Sequence, residues 1–293
     1  MTTDDEQHAA RLESWYASHP GTCLLCAQKR LLARGLAPWP HEGRTLLEVN
    51  CGPGLVEPHL RAMGLDVTGC EPSPALRNRF SSRLGYTYIV DPAHADLLPY
   101  GDASFDWVLL RLEHTKCGTD LAAVLGEARR VALKGVAVLV WNRWSLPALC
   151  DVRHTINASP QSAVRVFREL VSWHEGSVRV YGALFWPMHL WSLFRGRQGC
   201  RESEAGHEGP FLQLSDCLLA HVPLGLLGGL SLIRLDLPPS RPMTARPLRF
   251  LSPGVSMGSC TAKEASCTAK SATLRLWQDP KRRCACPKNG AKR

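Results

Sequence analysis

The feature that most constrains the fold is an alternation of short apolar segments with helix-forming segments between residues 45 and 141. Segments typical of strands lie at 45–49, 66–69, 86–90, 105–110 and 136–141. Helical periodicity fits the intervals 56–63, 74–84 and 121–132. This alternation predicts an α/β fold, a Rossmann-like doubly wound and mostly parallel sheet with helices on both faces. Ligands of such sheets bind at the carboxyl ends of the strands.

Composition divides the chain into three regions. Residues 1–40 are predicted to form an N-terminal helical cap, and residues 41–240 the α/β domain, with an insertion at about 142–213 where the rhythm changes. We expect substrate specificity to be built in that insertion. Residues 241–293 hold twelve Lys or Arg and two acids, whereas residues 1–240 carry a net charge of −1. The net charge of +9 therefore describes a tail that is predicted to be disordered, and nucleic-acid binding is not expected.

The ends of the chain and its cysteines indicate a cellular context. The start, MTTDDEQHAARLESWY, lacks the basic and apolar regions of a signal peptide, so a cytoplasmic location is expected. The most apolar run, CLLAHVPLGLLGGLSLI, is shorter than the roughly 20 residues of a membrane span and is interrupted by His221 and Pro223. Cys23 and Cys26 have a spacing found in zinc sites, but the twelve cysteines are scattered. We expect free thiols and no metal.

The stretch LLEVNCGPG, residues 46–54, joins a strand to a carboxylate and a glycine turn. Glycines let a backbone approach a ligand closely, as in nucleotide-binding folds. A dinucleotide fingerprint would place a third glycine at position 57, where Glu57 stands. Glu48 and Glu57 would both repel a pyrophosphate. The stretch therefore favours a ligand that carries positive charge and no phosphate.

Four segments together resemble the class I S-adenosylmethionine-dependent methyltransferases. LLEVNCGPG and VTGCEPSPAL are similar to the first two motifs of that family, HADLLPYGDASFDWVLL to the third and fourth, and EARRVALKGVAVLVW to the helix and strand that follow. The resemblance covers about residues 40–142 and, more loosely, extends to small-molecule enzymes of the quinone-biosynthesis group. Asn50 stands where the family usually has glycine, and the usual turn before the fifth strand is shortened to Lys134 and Gly135.

The resemblance implies S-adenosyl-L-methionine as cofactor and a site at the strand ends. Glu48 would interact with the cationic amino end of the cofactor, and Glu71 would accept hydrogen bonds from the ribose hydroxyls. Asp96 would accept from the adenine amino group. The complete set of implied cofactor-binding residues is Glu48, Asn50, Gly52, Gly54, Glu71, Pro72, Asp96 and Leu97.

The expected function is methyl transfer to a small, apolar or aromatic molecule. Aromatic residues near the predicted site could line an acceptor pocket, although such residues are equally typical of a core. His114, just after the fourth strand, is a weak candidate for a general base, and the catalytic residue is otherwise unassigned. The alternative is a degenerate, non-catalytic binding module with the methyltransferase fold. The acceptor, the atom methylated and the oligomeric state are left open.

Overall fold

A seven-stranded sheet lies at the centre of the described part of the chain. The computed structural model describes residues 3–85, 88–113, 120–150, 161–187, 190 and 224–238. The strands are β1 (Arg44–Val49), β2 (Leu65–Cys70), β3 (Val90–Asp91), β4 (Phe105–Arg111), β5 (Ala132–Trp141), β6 (Ser177–Ala183) and β7 (Leu230–Asp236). Their order in the sheet is β3-β2-β1-β4-β5-β7-β6.

The strands from β1 to β5 run parallel, and β7 is antiparallel to both β5 and β6. Val49, the last residue of β1, lies in register with Cys70 of β2 and Leu110 of β4. The segments that follow these three strands therefore emerge side by side at one edge of the sheet. This edge is where a doubly wound sheet binds its ligands.

Helices cover both faces of the sheet, which confirms the predicted fold class. They are α1 (Thr3–Ala17), α2 (His19–Leu36), α3 (Glu57–Ala62), α4 (Pro74–Leu84), α5 (Leu121–Val131), α6 (Leu146–Cys150) and α7 (Ala163–Ser172). Apolar residues of α1 to α4 pack on one face with Leu46 and Leu109, and those of α5 and α7 pack on the other with Leu47 and Val108. Successive residues of β1 and β4 thus point to opposite, equally buried faces.

Short polar side chains cap the first turns of the two helices α4 and α5. The Ser73 hydroxyl accepts a hydrogen bond from the backbone N–H of Leu76 and begins α4, and Asp120 begins α5 in the same way through Ala122. These caps supply partners for backbone donors that a helix leaves unpaired in its first turn. Within the described residues, no helix is long and apolar enough to cross a membrane.

The fifth strand begins earlier than the sequence predicted. β5 starts at Ala132, so Lys134 and Gly135 belong to the strand and not to a turn. Gly135 is required by packing, because a Cβ there would lie 2.6 Å from the Leu235 carbonyl oxygen and 3.2 Å from the Trp107 ring. The predicted tail, residues 241–293, lies outside the described residues, as does most of the segment from 188 to 223.

Candidate cofactor site

A turn with left-handed backbone geometry follows β1. Asn50, Gly52 and Gly54 have φ angles of 58°, 61° and 72°. A Cβ on Gly54 would come within 2.7 Å of the Phe80 side chain, so glycine also allows the turn to lie against α4. Asn50 tolerates this geometry better than most residues do, and its Nδ2 donates to the Arg111 carbonyl oxygen at 3.2 Å. The amide of Asn50 is thereby directed to the backbone of β4.

Glu71, just after β2, is held against this turn by two backbone donors. Its Oε2 accepts from the Gly52 N–H at 2.9 Å, and its Oε1 accepts from the Ser73 N–H at 3.1 Å. The residue is 4% exposed, and burial raises the pKa of its carboxyl while the two backbone bonds oppose the rise. Each carboxylate oxygen has two lone pairs. One acceptor position therefore remains on each oxygen for the hydroxyls of a ligand.

A buried charge network lies beneath the turn. The Arg111 guanidinium, at the end of β4, donates to Glu48 Oε1 at 3.0 Å and to the Cys51 carbonyl oxygen at 3.0 Å. Its Nη2 also donates to Glu113 Oε1 at 2.6 Å. Gln28 of α2 donates to the same Glu113 oxygen at 2.9 Å. The network thus joins β1, β4 and an N-terminal helix.

This network holds more carboxylates than cations. Burial raises the pKa of Glu48 to about 7, although the nearby Arg111 opposes the rise. Glu48 Oε2 is buried and has no hydrogen-bond partner in the described part of the chain. An unsatisfied buried acceptor is costly, and a carboxylate beside other carboxylates is costlier still. A cation placed against Glu48 Oε2 would relieve both costs.

The first helix contacts the loop that follows β2. Asp5 accepts from the Ser73 hydroxyl at 2.8 Å and from the Ala75 N–H at 3.1 Å. Arg79 of α4 makes ion pairs with Glu6, at 2.7 Å, and with Glu13. Since Ser73 also donates its N–H to Glu71, α1 is linked to the site by a chain of hydrogen bonds.

The other residues predicted to bind the cofactor or to act in catalysis lie apart from the buried carboxylates or outside the described residues. Pro72 is half-buried, and its carbonyl oxygen accepts from Arg77 at 2.8 Å. Asp96 and Leu97 have exposed side chains on the loop after β3, with Leu97 76% exposed. His114 lies outside the described residues. These residues remain predictions.

Glu57 begins α3 as a fully buried carboxylate. It accepts from Arg61 at 3.0 Å, and burial raises its pKa to about 7. The exclusion of a pyrophosphate from the turn stays a prediction. Within the described residues, no group of three or more His, Cys, Asp or Glu could hold a metal ion.

Several predicted pocket aromatics share one apolar cluster. Tyr16 and Trp141 are buried members of the cluster, and Trp15 and Trp186 pack against it. Trp141, at the end of β5, has a buried indole N–H with no hydrogen-bond acceptor in the described segments. Trp144 is 59% exposed. Four of these aromatic side chains therefore belong to the core or pack against it, Trp144 does not, and the buried Trp141 N–H lies next to the strand ends.

Sequence reasoning missed Arg111, Glu113, Gln28 and Asp5. A signal for two of them was present, because Arg111 and Glu113 interrupt the apolar run WVLLRLE at the end of a central strand. Charged residues are almost never fully buried without a partner. An Arg and a Glu at this position, together with Glu48 on the neighbouring strand, could have predicted the network.

The chain is similar to known methyltransferases. Residues 47–140 match the family described as methyltransferase domain. A malonyl-[acyl-carrier protein] O-methyltransferase from Erwinia billingiae is 31% identical over 135 residues, which cover 45% of this chain and 51% of the relative. The chain thus spans about half the length of this curated relative.

Solved structures agree on the fold. An S-adenosylmethionine-dependent methyltransferase from Thermotoga maritima is 20% identical with a TM-score of 0.53, covering 80% of this chain and 98% of that one. A chain from the complex of the Haloferax volcanii Trm112 methyltransferase activator is 15% identical with a TM-score of 0.54, covering 82% and 99%. The fold is shared with these methyltransferase structures, and residues 47–140 are similar to the methyltransferase-domain family.

Proposed function

We propose that the protein binds S-adenosylmethionine at the carboxyl edge of its sheet and transfers the methyl group to a small apolar or aromatic molecule. The observation that carries the proposal is the pair of fixed carboxylates beside the glycine turn. Glu71 is held by the Gly52 and Ser73 N–H groups, and Glu48 offers a buried oxygen without a partner in the described region.

The residues fit this cofactor. Vicinal ribose hydroxyls match the two oxygens of Glu71, each with one acceptor position left. The cationic amino end matches Glu48, which shares Arg111 with Glu113 and whose pKa is raised by burial and, to a smaller extent, by Glu113 and Glu71. A phosphate-bearing nucleotide matches neither group. The arrangement therefore selects a nucleoside that carries positive charge.

The sulfonium supplies an activated methyl group, so the protein needs chiefly to position a nucleophile in line with it. Bound cofactor would supply the methyl group, whose bond to sulfur would break as the bond to the acceptor forms, leaving a neutral thioether. Water exclusion by the N-terminal helices and the apolar cluster around Tyr16 and Trp141 supports this chemistry. A general base is needed only for an acceptor that must lose a proton.

The acceptor class rests on the surroundings of β5. The Trp141 indole N–H is a buried donor beside the strand ends, and an apolar wall surrounds it. This lining suits a small molecule with an apolar or aromatic body and one hydrogen-bond acceptor. The Erwinia billingiae relative is named for a different kind of acceptor, malonyl-[acyl-carrier protein], which should be included in the acceptor panel as the alternative.

A second candidate is a non-catalytic binding module with the same fold. Asn50 motivates it, because this residue stands where the family usually has glycine. Both candidates require nucleoside binding, and they differ in turnover. Formation of S-adenosylhomocysteine in the presence of an acceptor supports the enzyme, and tight binding without turnover over an acceptor panel supports the module.

The test is calorimetric titration with S-adenosylhomocysteine of the unmodified chain, Glu71→Ala and Asp66→Ala. Asp66 lies near the amino end of β2, whereas Glu71 follows its carboxyl end, and the Asp66 side chain is 72% exposed. Glu71→Ala should weaken binding by about 1.5 to 3 kcal/mol, the range for hydrogen bonds to a charged group. Asp66→Ala should leave the affinity unchanged. An equal effect of the two substitutions, or no binding by the unmodified chain, contradicts the proposal.

A further inference from the structure

We propose that Arg111 is a positioning residue that holds Glu48 and the glycine turn in the geometry needed to bind the amino-acid end of the cofactor. This inference rests on the proposed function and goes beyond it, because it gives a ligand-selective task to a fully buried arginine.

The two carboxylate oxygens of Glu48 have different surroundings. Arg111 Nη1 donates to Glu48 Oε1 at 3.0 Å, while Oε2 is buried without a partner among the described residues. A carboxylate held through one oxygen cannot rotate freely, so the direction of the second oxygen is fixed as well. Oε2 thereby keeps one direction, toward which the cationic end of a ligand would bind.

Arg111 also supports the turn from beneath. Its Nη1 donates to the Cys51 carbonyl oxygen at 3.0 Å, and its own carbonyl oxygen accepts from Asn50 Nδ2 at 3.2 Å. Both contacts reach the part of the turn that precedes Gly52. The same residue therefore sets the position of the acid and the course of the backbone beside it.

Glu113 fixes Arg111 in turn. Its Oε1 accepts from Arg111 Nε at 2.9 Å and from Gln28 at 2.9 Å, and the Tyr16 hydroxyl interacts with Gln28 and Arg111. Tyr16 and Gln28 belong to the two N-terminal helices. These helices thus hold the arginine in place, and through it the acid that receives the ligand.

These contacts centre on Glu48 and the turn before Gly52. Glu71 is held by the Gly52 and Ser73 N–H groups, and the Coulombic effect of Arg111 on its pKa is smaller than the effects of burial and of these two bonds. A defect confined to Arg111 should therefore weaken ligands that have an amino-acid end and spare those that lack it. This selectivity separates a positioning role from a purely structural one.

The experiment compares two ligands by calorimetry: S-adenosylhomocysteine, which has the amino-acid end, and 5′-methylthioadenosine, which lacks it. Arg111→Lys should weaken S-adenosylhomocysteine at least tenfold and methylthioadenosine less than twofold. Glu71→Ala is the matched control and should weaken both ligands by the same factor. Equal losses for the two ligands in Arg111→Lys, or no loss, overturn the inference while the proposed function stands. Failure of the unmodified chain to bind either ligand overturns the proposed function and the inference with it.

Glu113→Gln provides a test should Arg111→Lys fail to fold, since it preserves shape and an acceptor for Arg111. The charged or titratable groups that face Glu48 are Arg111 and Glu113 from β4 and its end, Glu71 after β2, Cys51 in the turn and Glu57 at the start of α3. Without the charge of Glu113, Arg111 acts on Glu48 alone and favours its ionised form. The pH at which S-adenosylhomocysteine affinity reaches half its plateau should shift downward. An unchanged pH profile overturns the inference.

Discussion

The two ends of β4 carry ionic clusters that differ in their balance of acidic and basic side chains. At the amino end, Asp106 accepts from the Thr45 N–H at 3.2 Å and pairs with Lys134 and with Arg44, the latter at 3.7 Å. Burial opposes the ionised form, yet these partners together lower the pKa of Asp106. At the carboxyl end, Arg111 stands between Glu48 and Glu113, and burial raises the pKa of both carboxyls.

The two ends differ in whether the described residues satisfy the charges and hydrogen-bonding groups of their carboxylates. Asp106 has cations and backbone donors sufficient for its charge, so this cluster stabilises the fold by itself. Among the described residues, the carboxyl end sets Glu48 and Glu113 against Arg111, and Glu48 Oε2 has no hydrogen-bond partner there. Perturbed carboxyls beside a glycine turn are typical of functional sites.

The largest expected effect is that of removing the cation at the carboxyl end. Arg111→Met leaves two buried carboxylates without their shared partner, and we expect it to lower the free energy of unfolding by about 3 to 5 kcal/mol. Asp106→Asn, at the partly exposed end, should cost about 1 kcal/mol. Urea unfolding at pH 7.5 measures both. Equal costs at the two ends would remove the contrast between them.

The next effect concerns pH. The folded-state pKa of Glu48, about 7, is above its ordinary value of 4.5. Between these values the folded chain retains a proton that the unfolded chain releases, so stability falls as the pH rises from 4.5 to 7. Glu48→Gln removes this loss and should raise the free energy of unfolding at pH 8 by up to about 3 kcal/mol, while cofactor affinity falls.

Chemical unfolding at pH 5, 6, 7 and 8 checks the Glu48 prediction. Asp106→Asn is the control of opposite sign, because a lowered pKa contributes stability that is present at neutral pH and lost on acidification. A Glu48→Gln variant that is less stable than the unmodified chain at pH 8 would contradict the prediction. It would show that the ion pair with Arg111 outweighs the cost of burying the Glu48 carboxylate.

A smaller effect is expected in the turn itself. Asn50→Gly removes a side chain from a left-handed position at φ 58°, where glycine has no steric penalty. The loss of the hydrogen bond to the Arg111 carbonyl oxygen offsets this gain, so stability and affinity for S-adenosylhomocysteine should change by less than about 1 kcal/mol. A loss of tenfold or more in a calorimetric titration would show that the Asn50 amide binds the ligand.

The smallest effect is expected from removing the basic tail. Met1–Ser240 forms one compact unit, and the sequence beyond it carries +10 with little periodic apolar character. Truncation after Ser240 should therefore leave the melting temperature and the cofactor titration nearly unchanged. Insolubility of the shortened chain would show that the tail packs on the domain.

The fold was predictable because its signals are local. Helix α4 was predicted at 74–84 and runs from Pro74 to Leu84, and β1 differs by one residue at its start. The start of β5 was predicted four residues late, because a glycine such as Gly135 usually indicates a turn. In the structure Gly135 lies within the strand, where Leu235 and Trp107 pack too closely to leave room for a Cβ atom. Long-range packing of this kind leaves no local signal.

The site was predictable in part. Glu48, the glycine turn and Glu71 follow strand ends, and the sheet register brings them together. The Arg111 network depends on Gln28 and Tyr16, which lie 83 and 95 positions earlier in the sequence. Sequence periodicity carries no information about which helix residue meets a given strand end. The structure was needed to show that Glu48 forms an ion pair with Arg111.

The central claim is that the carboxyl edge lacks a cation that the cofactor brings. It is tested most directly by titrating the protein with S-adenosylhomocysteine at pH 6.5 in two buffers of different ionisation enthalpy. At this pH the ligand ammonium is already charged, whereas the raised pKa of Glu48, about 7, keeps part of the protein protonated at this carboxyl. Binding should release protons, and Glu48→Gln should abolish the release. Binding without proton release, or the same release from Glu48→Gln, would contradict the account.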